Sequence, residues 1–183
     1  GCFSMYPAKV MTAGEGGFVV TNSKKLRDKL LMIRNHGMLK GYDTRLLGLN
    51  LRLPEINAAI ATIQMKKLPK FLKTRQKNAK LLSKLLSKSN LDLPVERKNE
   101  NVNWYLYTVT TPKRNMLLKK LNAKGIGAAS YYPIPVHKTP FYKSKTKLPI
   151  TDWAASSVLS LPIHPKVTTK NIEFIAKTVL EVL

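Results

Sequence analysis

Two short apolar runs open the chain, separated by a turn. Gly1-Cys-Phe-Ser-Met5 and Phe18-Val-Val-Thr21 carry the aromatic and β-branched residues that favour strands. Between them lie Pro7, Lys9 and a glycine-rich bend, Gly14-Glu-Gly-Gly17, which lets the backbone turn where side chains would clash. Helical spacing follows. Leu26, Leu30 and Ile33 predict a helix from a cap at Asn22 or Ser23 to about His36, with Gly37 at its end. Residues 38–53 hold Gly41, Gly48 and Asn50 and read as irregular. Pro54 suits the first turn of another helix, along which Ile56, Ala59, Ile60 and Ile63 share a face. Pro69 predicts a break or kink. Beyond it Phe71, Leu72, Arg75, Ala79, Leu82, Leu85 and Leu86 mark a second helix to about Lys88.

The last hundred residues alternate strand and helix. Strands are predicted at Leu91–Val95, Trp104–Thr110 and Ala128–Tyr132, and an extended piece at Leu159–Ile163. A helix at Arg114–Lys124 turns Leu117, Leu118 and Leu121 inward. Another covers Thr151–Val158, and Thr168 caps a last one with Ile172, Ile175, Ala176 and Val179 inward. Pro133, Pro135 and Pro140 make a stiff loop around His137. The pattern is that of an α/β fold, a small sheet covered by helices.

Composition narrows the classes. Apolar residues make up 44% of 183, which supports a core and excludes global disorder. The single cysteine, Cys2, excludes internal disulfides and points to a reducing, cytoplasmic setting. No apolar run is long enough to span a membrane, and no signal-peptide layout is present. The chain starts at Gly1 rather than Met, already inside a strand-like segment. That is expected of a fragment, a split gene product or an excised piece. The net charge is +22, from 32 basic and 10 acidic residues. Such a charge admits nucleic-acid binding, but the basic residues spread over several helices and tails. A lysine-biased surface that also attracts phosphorylated ligands is the favoured reading. The non-apolar face of the 70–88 helix, nearly all Lys, Gln and Ser, fits a solvated face or an anion-binding one.

Lys9 is the first candidate for chemistry. A lysine on a turn between apolar strands can lose solvation, which lowers its pKa and leaves an amine able to attack a carbonyl. A solvated turn lysine fits the same local sequence. Ser4 reads locally as a small polar filler and Asn50 as a turn residue beside Gly48. His36 reads as a helix-end cap. His137 is a better candidate for substrate contact, with Tyr131, Tyr132 and Phe141 near it in sequence. The three histidines and one cysteine lack metal-ligand spacing, so no metal is expected.

Four blocks change the weight of these residues. Ser4-Met-Tyr-Pro-Ala-Lys9, Thr12-Ala-Gly-Glu-Gly-Gly17, Arg34-Asn-His-Gly37 and Leu47-Gly-Leu-Asn50-Leu-Arg52-Leu-Pro-Glu55-Ile-Asn-Ala-Ala59 occur in that order. Together they resemble the DegT/DnrJ/EryC1/StrS family of pyridoxal-phosphate (PLP) sugar aminotransferases. The resemblance continues more loosely through Tyr132-Pro-Ile-Pro-Val-His137 and Leu159-Ser-Leu-Pro162. It implies the C-terminal part of a fold-type-I PLP transferase: residues 1–75 as the remainder of the large domain and 76–183 as the small α/β domain. It also implies Lys9 as the Schiff-base lysine, Ser4 on the cofactor phosphate, and Asn50 on the phosphate of the neighbouring subunit. His137 and Tyr132 would then contact a nucleotide-linked keto sugar, with glutamate or glutamine as amino donor. Family members that dehydrate deoxysugars carry histidine at the Lys9 position, so Lys9 favours transamination. One departure is Tyr105, where the family often has histidine. In the family, the part preceding this segment supplies the phosphate-cradling helix N-terminus, the stacking aromatic and the aspartate on the pyridine nitrogen. Whether the chain is itself an enzyme therefore stays open. The implied assembly is a homodimer or a complex with an N-terminal half, with no membrane partner. A truncated, non-catalytic dimerisation or regulatory module is the alternative, and nucleic-acid binding comes behind it.

Overall fold

The protein, a computed structural model, is described over residues 1–183 and divides into two compact units, Gly1–Pro69 and Lys70–Leu183. In the first unit β1 (Cys2–Ser4) and β2 (Gly17–Val19) pair antiparallel, with Phe3 opposite Phe18 and their rings stacked at 4.8 Å. α1 (Lys24–Ile33) starts at Ser23, whose Oγ accepts from the Leu26 amide at 3.2 Å. Gly37 closes the end of α1 by donating its N–H to the Met32 carbonyl. The irregular stretch that follows is held by isolated bridges, Asn35 with Asn50 and Met38 with Thr44. Met5 and Ala13 are the only buried apolar side chains of this unit, and α1 buries none.

α2 (Glu55–Leu86) is one continuous helix. The break expected at Pro69 does not occur. A proline inside a helix removes one backbone hydrogen bond, and here both Pro69 and Met65, whose carbonyl loses its donor, are exposed. Water can satisfy that carbonyl, so the loss stays local.

The second unit is built around the C-terminal part of α2 and an antiparallel pair, β3 (Tyr107–Thr110) with β4 (Val158–Leu161). α3 (Arg114–Ala123) packs on β4 and on α5 (Thr169–Val182); α4 (Pro149–Ser157) leads into β4. α5 starts in a capping box, with Thr168 and Asn171 each bonding the other's backbone N–H. Leu82 and Leu86 of α2, Leu117 and Leu121 of α3, and Ile172 and Val179 of α5 meet Tyr107, Val109 and Leu159 in one core. The Tyr107 hydroxyl pairs with Ser83 Oγ at 2.8 Å; burial pushes this phenol up against the opposing effect of that bond.

Three predicted strands are corrected here. Leu91–Val95 contributes only Asp92, bridged to Thr110, because Pro94 has no amide to extend a ladder. Trp104–Leu106 stays outside β3. Trp104 is buried with φ +50°, and its carbonyl and that of Tyr105 accept from Arg75 Nη1 at 3.1 and 3.0 Å, while the Tyr105 amide bonds Asn103 Oδ1. Those groups are spent outside any sheet. Ala128–Tyr132 reduces to one bridge, Ala129 with Ser160, since Asn122 takes the Ala128 amide and Pro133 follows. Asn78 ties α2 to the segment after β4, donating to the Ile163 and Val167 carbonyls at 3.3 and 2.9 Å.

Candidate active site

The hairpin places Ser4 and Lys9 on one closed loop. Ser4 pairs with Gly17, where any Cβ would meet the Phe3 carbonyl oxygen at 2.7 Å, so only glycine fits the register. Beyond Ser4 the chain turns back. The Tyr6 amide donates to Ser4 Oγ at 3.3 Å, and the Tyr6 carbonyl accepts from the Lys9 amide at 3.0 Å. The two backbone groups of one residue, Tyr6, therefore link the hydroxyl of Ser4 to the backbone of Lys9. Met5 secures the base of the loop: its amide donates to Gly16, and its carbonyl accepts from the Ala13 amide and Thr12 Oγ1. Lys9 is exposed on this turn.

Two further residues shape this unit. Asn57, in the first turns of α2, donates through Nδ2 to the carbonyls of Ala13 at 2.6 Å and Glu15 at 3.3 Å, pinning the glycine-rich bend. Sequence reasoning passed over it. Its signal was a lone amide among Ile56, Ala58 and Ala59. Asn50 lies opposite Asn35, and its Oδ1 accepts from Arg52 Nε at 2.9 Å. That bond fixes the amide so that its NH2 group is the end left to donate outward. The approach needs Gly48, where a Cβ would overlap the backbone of His36 and Gly37.

In the second unit His137 sits on a single 3-10 turn, Val136–Lys138. Its side chain is 14% exposed, and Nε2 lies 3.9 Å from Asp152 Oδ1, which Lys138 Nζ approaches to 2.7 Å. Asp152 is a second residue the sequence did not flag; it comes from the first turn of α4. An open cleft of about 460 Å³ is lined by His137, Val136, Tyr142, Ser144, Leu148 and Thr151. Tyr132 is not part of it: 73% exposed, it packs edge-on against Tyr131 at 5.6 Å. Phe141 is also outside the cleft and exposed. His164 is held below its usual value by partial burial, with the Arg75 and Lys166 cations adding to the effect. No three His, Cys, Asp or Glu side chains gather as a metal site, and no helix is long and apolar enough to cross a membrane.

The sequence model of the DegT/DnrJ/EryC1/StrS aminotransferase family matches residues 1–180. The chain belongs to this family. It is 37% identical to the dTDP-3-amino-3,4,6-trideoxy-alpha-D-glucose transaminase of Streptomyces venezuelae, over 89% of this chain and 45% of that protein. It is 33% identical to the pleiotropic regulatory protein of Geobacillus stearothermophilus, over 98% of this chain and 50% of the other. Among solved structures it resembles DesV of S. venezuelae, with 34% identity and a TM-score of 0.94 over 98% of this chain and 50% of DesV. A Brucella abortus member of the family superposes with a TM-score of 0.92 at 28% identity, over 99% of this chain and 50% of that one. The chain thus spans about half the length of the relatives it matches. The expectation of a C-terminal portion of this aminotransferase fold holds.

Proposed function

We propose that the protein containing this chain is a PLP-dependent aminotransferase that moves an amino group from glutamate or glutamine to a nucleotide-linked keto sugar. The observation that carries the reading is Tyr6, whose amide bonds the Ser4 hydroxyl and whose carbonyl bonds the Lys9 turn. Two ends of PLP fit these donors. Ser4 Oγ already accepts from an amide, so its own proton is left to donate to a phosphate oxygen. Lys9 brings an amine to the same loop for the aldehyde, and Asn50 brings a neutral NH2 donor suited to a phosphate. PLP, when bound, supplies an electron sink that the twenty side chains lack.

The rest is work for this chain's residues. Lys9 Nζ would hold the cofactor and, once the amino donor displaces it, would serve as the neutral amine that carries the proton from the donor's α-carbon to the cofactor's C4′ carbon. The glycine-rich bend, pinned by Asn57, keeps that amine in register. His137, with Tyr132, is the proposed sugar-nucleotide contact in the small domain. On this reading residues 1–75 complete a large domain, residues 76–183 form the small one, and the enzyme works as a cytoplasmic homodimer.

The test is a trapping experiment on the protein together with the N-terminal portion its relatives possess. After PLP binding and borohydride reduction, the pyridoxyl mass is expected on the tryptic peptide containing Lys9. Recovery on another lysine overturns the assignment. The exposed apolar side chains of the first unit, Tyr42, Leu47 and Ile56 among them, favour a second reading, an association module without catalysis. Transaminase activity of the protein carrying the pyridoxyl-reactive Lys9, lost in Lys9→Ala, would exclude it.

A further inference from the structure

α2 presents two opposite faces over its C-terminal half. It buries Arg75, Ala79, Leu82 and Leu86, while Lys73, Lys77, Lys80 and Lys84 are all exposed. Each of these lysines precedes a buried residue by two positions, which is about 200° round a helix. The lysines therefore stand directly outward, and Lys70 continues the series at the same spacing of three and four. At 1.5 Å per residue, Lys70 to Lys84 makes a straight ridge about 21 Å long. α2 has no acidic residue after Glu55. None of the five ammonium groups joins an ion pair; the charged pairs of the protein all lie elsewhere. Like charges at this spacing repel one another along the helix, so an external polyanion would relieve the row as well as bind it. The lysine-rich face expected of the 70–88 segment is thus a single line of unpaired ammonium groups.

We propose that this ridge binds the phosphate backbone of a nucleic acid, without sequence preference. About 21 Å covers roughly six phosphates of one DNA strand at 3.4 Å each. Lysines are compact point charges that suit phosphate contacts, and such contacts carry no base information. A membrane surface fits less well. Helices that lie on bilayers insert an apolar face, and here that face is buried in the core. An acidic protein fits less well too, because protein interfaces are depleted in lysine and rely on aromatic anchors. The proposal goes beyond sugar transamination and uses none of the residues assigned to it.

Anisotropy of a labelled DNA duplex of ~20 base pairs, titrated with the whole protein between ~50 and ~200 mM salt, tests it. Binding is expected, with a log–log salt slope of about −4.5 for five phosphate contacts. In K73E/K77E/K80E/K84E the slope should become shallower by about 3.6 and affinity should fall at least about tenfold. A control with equal charge change, K143E/K145E/K147E/K170E, should lose far less. Circular dichroism checks that both variants keep their helices, and the matching Lys→Gln set repeats the comparison without introduced acids. Transaminase activity should be unchanged in the ridge variants, which separates failure here from failure of the enzymatic reading. Equal losses in ridge and control variants would overturn the proposal, as would strong sequence preference. Ridge-dependent binding to phosphatidylserine vesicles without binding to the duplex would also overturn it.

Discussion

Leu82 in α2 has no exposed surface, whereas Leu47 in the first unit shows 91% of its own to solvent. The contrast runs through both units. The Lys70–Leu183 unit closes a core from three helices and a strand pair, with polar ties such as Asn78 and Arg75 supporting it. The Gly1–Pro69 unit has hairpin, helix and bend in place, yet it buries only Met5 and Ala13 among its apolar side chains. It is ordered by backbone hydrogen bonds and by the Asn57 amide rather than by burial. The candidate chemistry of Ser4, Lys9 and Asn50 belongs to the unit with the thinner core. Local hydrogen bonding can fix the shape of a loop, but apolar burial supplies most of the free energy that holds a fold.

The sharpest way to break this comparison is a pair of leucine truncations read by urea unfolding. Leu82→Ala is expected to cost about 2–5 kcal/mol, as buried leucines do. Leu47→Ala is expected to stay within about 0.5 kcal/mol. Similar costs at both sites would show that the first unit buries Leu47 in solution.

A pair of asparagines sharpens the same point at smaller scale. Asn78→Ala strands two buried carbonyls and should cost about 2 kcal/mol. Asn57→Ala frees carbonyls that water reaches more easily and should cost about 1 kcal/mol or less. Hydrogen exchange should separate them as well, with faster exchange confined to the bend at residues 13–16 in the Asn57 variant and extended through β4 and α5 in the Asn78 variant.

The smallest effect is a pH dependence. The folded state holds His164 below its usual 6.5, through burial first and then Arg75 and Lys166. The unfolded chain therefore binds more protons there, and stability falls as pH drops through about 6.5. The urea midpoint of the second unit should be slightly lower at about pH 5.5 than at about pH 7.5, and the difference should shrink in His164→Gln. An unchanged difference would remove His164 from the account.

Much of this was open to reading along the chain. Ser23 and Thr168 cap the helices they were expected to cap, because a side-chain oxygen before an apolar-periodic run acts locally. Tyr107–Thr110 falls inside a predicted strand, and Val158–Leu161 overlaps the extended piece predicted at Leu159–Ile163, starting one residue earlier. The Lys9 turn stood out because its proline and glycines lie between two β-rich runs. Other parts were hidden. Nothing next to Trp104 says that its carbonyl will be taken by Arg75, 29 residues earlier. Asn57 and Asp152 look like ordinary helix-start residues until their long-range partners are seen. Pro69 looks like a stop because its effect depends on whether water reaches the carbonyl it frees.

The sequence by itself determined the family, the hairpin with its lysine, the capped helices and the apolar stripes, since each is written in neighbouring or periodically spaced residues. Tertiary structure alone decided which predicted strands pair and which amides hold distant carbonyls. Those outcomes depend on where buried backbone groups find partners and which face the core claims, and both follow only once distant segments have packed.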